Sequence, residues 1–179
     1  LTNIGLIRDE QGQYKKAIAR YEEGLQIYRR IGARGSVARI LNNVAVTYEN
    51  LGQREKALRR YRESLRLYRR MGNRGGVSAV LQNISDVYRL QGQYEKVPPR
   101  VQEAIQTARE IDDRRNVANS LEIIGLADED QDRYAKALAR YRKALEIRRE
   151  IGDRDGAAFN LGSIGTTHLK ANQLRAATD

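Results

Sequence analysis

Residues 41–80 read LNNVAVTYENLGQREKALRRYRESLRLYRRMGNRGGVSAV, and the chain repeats this pattern every forty residues. Gly12, Gly52, Gly92, Asp132 and Asn172 share one phase of the period. Arg34, Arg74, Arg114 and Arg154 share another, and Ile31, Met71, Ile111 and Ile151 a third. A period of this size is the mark of a stacked-repeat protein, in which each unit buries its apolar face only against its neighbours. Such an array offers an extended surface rather than a closed catalytic pocket.

Each unit divides into two helices. Tyr14, Ala17, Ile18, Tyr21, Leu25 and Tyr28 recur at steps of three and four, which places them on one helical face. Gly32 stops that run, and a second stripe follows at Leu41, Val44, Ala45 and Tyr48. Gly52 stops this one, since glycine readily takes the left-handed conformation that closes a helix. Gly32, Gly72, Asp112 and Gly152 close the second helix of each unit. Asn73, Asp113 and Asp153 stand where an N-cap is wanted, whereas Ala33 offers no side-chain oxygen. The links come out at two or three residues, which makes sequential helices antiparallel neighbours.

Two places depart from the pattern. Val97-Pro98-Pro99 replaces the Ala-Leu of the other units, so that helix is expected to start late or to bend. At the end, the phase of Asn172 predicts another helix break, with Asp179 only a few residues into the next helix. The chain opens at Leu1 inside a repeat phase and without a Met, as expected for an excised piece. The uncovered ends are expected to associate with another molecule or to fray. The whole chain reads as one array, with units at 1–37 (partial), 38–77, 78–117, 118–157 and 158–179 (partial).

Composition narrows the function classes. The 179 residues contain no cysteine, hence no disulfide framework and no thiolate metal site. No apolar run reaches the ~20 residues a membrane span requires, and no signal peptide opens the chain. A cytoplasmic setting with no membrane partner is the expectation. His168 is the sole histidine, so no nucleophile–base pair can be built around it, and no phosphate-binding glycine motif is present. The chain reads as a non-enzyme with no cofactor and no metal. Asp128 and Asp132 lie four apart, but a cation site needs more ligands than these, so the acidic helix reads as an electrostatic surface. Asn83-Ile84-Ser85 matches a glycosylation acceptor but falls inside a predicted helix.

The net charge of +10 is unevenly spread. Residues 31–75 hold eleven Lys or Arg against three Glu, while residues 118–132 hold five acids and no base. Arg62, Arg66 and Arg70 follow at four-residue steps, a spacing at which like charges repel. Within the helix, Glu55–Arg59 and Glu63–Arg66 are the expected pairs. Arg29, Arg69, Arg109 and Arg149 occupy last turns, where a cation suits the helix dipole. The tyrosines fall on the buried stripe rather than among the charges, which argues against nucleic-acid stacking. Asp128 stands at the phase of Tyr48 and Tyr88, and is expected to pair with a base or to loosen the packing.

Leu41, Val44-Ala45, Tyr48, Gly52, Ala57, Tyr61 and Ser64-Leu65 resemble the tetratricopeptide repeat signature in order and spacing. The usual unit has about 34 residues, so these helices are longer. Forty-residue units with a Gly152-Asp153-Arg154 junction look like those of LGN/Pins-type adaptors and of long bacterial arrays. The resemblance implies an all-α, right-handed solenoid of about four and a half helix pairs, with the first helix of each lining a concave groove. It also implies peptide contacts from an Asn before the small-residue pair, here Asn3, Asn43 and Asn83; Ile123 and Ser163 break the series. Other groove positions are Arg39, Asn42, Gln82, Asp86, Arg89, Asn119 and Glu122, with Thr2 and Glu49 among the remainder. Only Arg39 and Arg89 could serve a two-carboxylate clamp, so that activity is not expected. The expected function is a scaffold for a peptide segment or partner helix. Self-assembly through the open ends and polyanion binding on the convex Arg face stand as alternatives.

Overall fold

The computed structural model describes residues 2–178. The readings placed on Leu1, on the Thr2 side chain and on Asp179 lie outside the described residues. The described elements are all helical: α1 (Thr2–Glu10), α2 (Tyr14–Arg30), α3 (Arg34–Asn50), α4 (Arg54–Arg70) and α5 (Arg74–Leu90). A 3₁₀ turn at Tyr94–Lys96 precedes α6 (Val97–Arg109), α7 (Arg114–Glu129), α8 (Tyr134–Glu150) and α9 (Arg154–Thr178).

The turns follow from the repeat phases. At Gly52 φ is 70°, Gly52 N–H donates to Glu49 C=O at 2.7 Å, and Gln53 N–H reaches Tyr48 C=O at 2.8 Å. This pair of bonds closes a helix on a left-handed residue. Asp112 (φ 52°) and Asp132 (φ 58°) hold the same conformation, which aspartate tolerates better than most non-glycine residues. Three helix starts are capped as expected. Gly76 N–H donates to Asn73 Oδ1 at 2.8 Å, Asn116 N–H to Asp113 Oδ1 at 3.0 Å and Gly156 N–H to Asp153 Oδ1 at 3.2 Å. Ala33 provides no such bond, leaving the start of α3 weaker by about 1 kcal/mol.

Both irregular places are resolved by local chemistry. Helix α6 begins three residues later than its counterparts, after the 3₁₀ turn, with its prolines in the first turn where no amide donor is required. The expected break at Asn172 does not occur, and α9 runs on for 25 residues. Ala171, Gln173, Leu174 and Ala176 are good helix formers, and Asn172 lacks glycine's ease in the left-handed region. Helix α9 leaves Leu161 49% exposed, although its counterparts Leu41, Leu81 and Leu121 are buried.

Two compact units divide the chain, Leu1–Val87 and Tyr88–Asp179. In the first, α1 packs on α2, α2 on α3 and α3 on α4. Its core gathers Ala17, Tyr21, Leu25, Val37, Ile40, Leu41 and Val44, flanked by Tyr28, Tyr48 and Leu67. In the second, α6 packs on α7, α7 on α8 and α8 on α9. Val101, Ala104, Val117, Leu121, Ala137, Tyr141 and Leu145 are buried there. Tyr141 lies against Gly125, so closely that a Cβ on Gly125 would sit 2.6 Å from Tyr141 Cε1. Asp128 is buried, with Arg133 Nη1 4.0 Å from its Oδ1, so the aspartate at a tyrosine phase does pair with a base.

Candidate functional site

Two sets of polar contacts involve the first helices: α1, α3 and most of α5 in the first unit, α7 and α9 in the second. In the first unit, Asn83 Nδ2 of α5 donates to Asn42 Oδ1 of α3 at 3.1 Å, so one rung of the asparagine series is tied to the preceding first helix. Asn43 is half-buried, and its backbone carbonyl accepts from Thr47 Oγ1 at 3.0 Å. Asn3 is exposed on α1. Arg39 is exposed, and its charge opposes the rise that burial imposes on the Tyr68 hydroxyl pKa. Gln82 is buried and bonds Ser78 Oγ at 3.3 Å, while Asp86 is half-buried. In the second unit, Arg89 Nη1 pairs with Asp130 Oδ2 at 2.7 Å. Asn119 and Glu122 are drawn together by Arg148 of α8, whose Nη2 reaches Asn119 Oδ1 at 3.0 Å and Glu122 Oε2 at 2.6 Å.

A second set escapes inspection of single residues. In two of the second helices, α4 and α8, a tyrosine reaches a carboxylate twelve residues upstream. Tyr61 donates to Glu49 in the first unit, and Tyr141 donates to Glu129 Oε2 at 2.9 Å in the second. Tyr21 lies twelve residues after Asp9, a shorter acid, and its buried hydroxyl has no protein partner among the described residues. Burial pushes Tyr21 up to about 12, with the charges of Asp9 and Glu10 adding to the rise. Where Val101 replaces the tyrosine, Arg89 replaces the acid. The joint change at this spacing was the signal in the sequence that could have revealed the pair.

The two carboxylates differ in their surroundings. Glu129 accepts from Tyr141, from Thr167 Oγ1 at 3.0 Å and from Lys170 Nζ at 2.6 Å. Burial pushes its pKa up, but the three donors, led by Lys170, outweigh burial and hold it below the ordinary value. Glu49 has Tyr61 as its hydrogen-bond donor; burial, reinforced by Asp86, raises its pKa from 4.5 to about 7 against the opposing Tyr61 bond and Arg54 charge. Its folded pKa thus lies above the unfolded one. The proton it takes up stabilises the fold fully below about pH 4.5, and that contribution is lost as pH rises through 7. Urea titrations should therefore show wild type losing about 2 kcal/mol more than Glu49→Gln between pH 5 and 8. Parallel losses in the two proteins would assign the effect elsewhere.

Arg29, Arg69, Arg109 and Arg149 do occupy last turns. Glu63, however, pairs with Arg60 at 3.5 Å and Arg29 at 3.9 Å, not with Arg66. Arg60 in turn reaches Glu22 of α2 at 2.5 Å. Tertiary packing of α4 on its neighbours selects these partners. His168 Nε2 lies 3.4 Å from Arg142 Nη2. Among the described residues no group of three or more His, Cys, Asp or Glu could hold a metal ion, and no helix is long and apolar enough to cross a membrane.

Antiparallel helix pairs recurring every forty residues, each first helix carrying polar side chains, define an all-α solenoid. The tetratricopeptide repeat model matches residues 1–70, 36–110, 77–150 and 116–179, and the chain belongs to that family. Among solved structures it is similar to BtubC (BKLC) from P. vanneervenii, at 19% identity and a TM-score of 0.73, covering 97% of this chain and 78% of that one. The apo form of RapI matches at 16% identity and a TM-score of 0.78, over 97% of this chain and 48% of that one. A Rap protein complexed with Competence and Sporulation Factor matches at 14% identity and a TM-score of 0.62, over 93% and 50%. The chain thus spans about half the length of the two Rap proteins. A search of curated proteins returns no match.

Proposed function

We propose that this chain is a protein-interaction scaffold that holds a peptide segment or a partner helix along its first helices. Asn43 and Asn83 capture backbone groups of the guest, and the uneven charge sets its direction. The observation that carries this reading is the Asn83–Asn42 bond, which holds the Asn83 amide on α5 against α3, where half-buried Asn43 follows Asn42 in sequence. An amide offers both a donor and an acceptor, matching the two groups an extended backbone presents. A held amide also loses less side-chain freedom on binding. The family match supports a binding role, and a Rap protein of similar fold has been solved with a bound factor.

The test uses peptides selected from a displayed library against the whole chain. Asn43→Ala with Asn83→Ala should weaken their binding by about tenfold or more, as expected for two lost net hydrogen bonds. Unchanged affinity for every selected peptide would remove the asparagines from the binding surface.

A further inference from the structure

A cavity of about 490 Å³ opens between α2, α4 and the start of α3 in the first unit. Its size falls within the roughly 300–1,000 Å³ usual for small-molecule sites. The floor is aromatic and aliphatic, made by Tyr28, Val37, Leu41 and Leu67. Arg29, Arg34, Arg66 and Arg70 form the rim, with Glu63 the acid beside them. Glu63 is already engaged by Arg60 and Arg29. Among the described residues no acidic side chain pairs with Arg34, Arg66 or Arg70. The start of α3 borders the same cavity and has no side-chain cap. The local field is therefore strongly positive, and Arg66 and Arg70 repel each other one helical turn apart.

The second unit contains the counterpart of this cavity, eighty residues on, at about 340 Å³. Its lining recurs at the same phases except those of Tyr28 and Leu41, and its charges are exchanged. Glu146 and Glu150 stand at the phases of Arg66 and Arg70, and Lys143 at that of Glu63. Asp113 caps the helix start where Ala33 does not. Arg114 pairs with Glu150, so the second cavity neutralises itself. Helix packing alone thus does not demand arginines at these phases, since acids serve the same backbone.

We infer that the first cavity binds a small phosphorylated molecule with a flat or apolar body, of about mononucleotide size. The guanidinium groups of Arg34, Arg66 and Arg70 would take the phosphate oxygens in forked hydrogen bonds, and the body would lie on Tyr28 and Leu67. This site is independent of the asparagine face, so either can fail without the other. A longer polyanion would use exposed arginines outside the cavity as well.

Isothermal titration of the whole chain with ADP and with pyrophosphate tests the inference. ADP should bind saturably and more tightly than pyrophosphate. Arg66→Glu with Arg70→Glu gives this cavity the acids of its counterpart and should weaken both probes by about tenfold or more. Tyr28→Ala should weaken ADP while sparing pyrophosphate. Arg59→Glu with Arg142→Glu makes the same charge change on exposed side chains outside the cavity and should leave both nearly unchanged. Melting curves would confirm that these exposed arginine replacements remain folded. Absence of saturable binding by both probes would overturn the inference. Equal weakening by the two charge variants would also overturn it. So would a single-stranded RNA oligomer that binds more tightly than ADP and weakens equally in both, since this would indicate a diffuse polyanion surface.

Discussion

Glu122→Ala should destabilise the second unit by about 3–4 kcal/mol, measured by urea unfolding at neutral pH. Arg148 is 7% exposed and occupies a phase where Tyr28 and Tyr68 stand in the first unit. Its guanidinium is held by Glu122 at 2.6 Å and Asn119 at 3.0 Å, with Asp153 at 3.8 Å. Removing Glu122 leaves a buried cation with one distant acid. The charge cannot move into water without breaking the packing against α9, where a Cβ on Gly156 would collide with the Arg148 side chain. Arg148→Tyr together with Glu122→Gln should recover most of the loss. Tyr68 already rests on Gly76 at the same pair of phases, so an aromatic fits that geometry. A loss below about 1 kcal/mol for Glu122→Ala would mean that the remaining partners satisfy Arg148.

Tyr141→Ala should cost about 3–5 kcal/mol, the range for truncating a large buried aromatic. Two losses combine. The ring is fully buried against Gly125, whose missing side chain leaves nothing to fill the space. Its hydroxyl is also one of three donors that keep Glu129 ionised. Tyr141→Phe separates the two and should cost about 1–2 kcal/mol, because the carboxylate retains Thr167 and Lys170. Tyr21→Phe is the contrasting case. The Tyr21 hydroxyl has no protein partner among the described residues, so its removal should leave stability unchanged or raise it, since no bond is lost and an unbonded hydroxyl is no longer buried. Equal costs for the two Phe variants would show that the Tyr141–Glu129 bond contributes no net stability.

Much of the fold was legible because its causes are local. A glycine or aspartate at a helix end, a capping Asn73 or Asp113, and prolines confined to a first turn each act within a few residues. Ala33 was read as an uncapped start for the same reason. Asn172 escaped this logic because a helix-favouring sequence overrode the repeat phase. Less of the candidate site was legible. Asn43 and Asn83 were located by resemblance, but nothing in the sequence showed that Asn83 would bond Asn42. Glu122 and Asn119 read as groove residues, whereas the fold joins them to Arg148.

The sequence by itself determined the repeat period, the helix ends other than that expected at Asn172, the buried tyrosine stripe and the family, because these depend on spacing along one chain. Only the tertiary structure decided which charges are neutralised. It paired Glu63 with Arg29 and Arg60 instead of Arg66, raised Glu49 while lowering Glu129, and gathered Arg34, Arg66 and Arg70 around one cavity. Electrostatic energies depend on distance and solvent exposure, and packing brings together residues far apart in sequence that no local spacing relates.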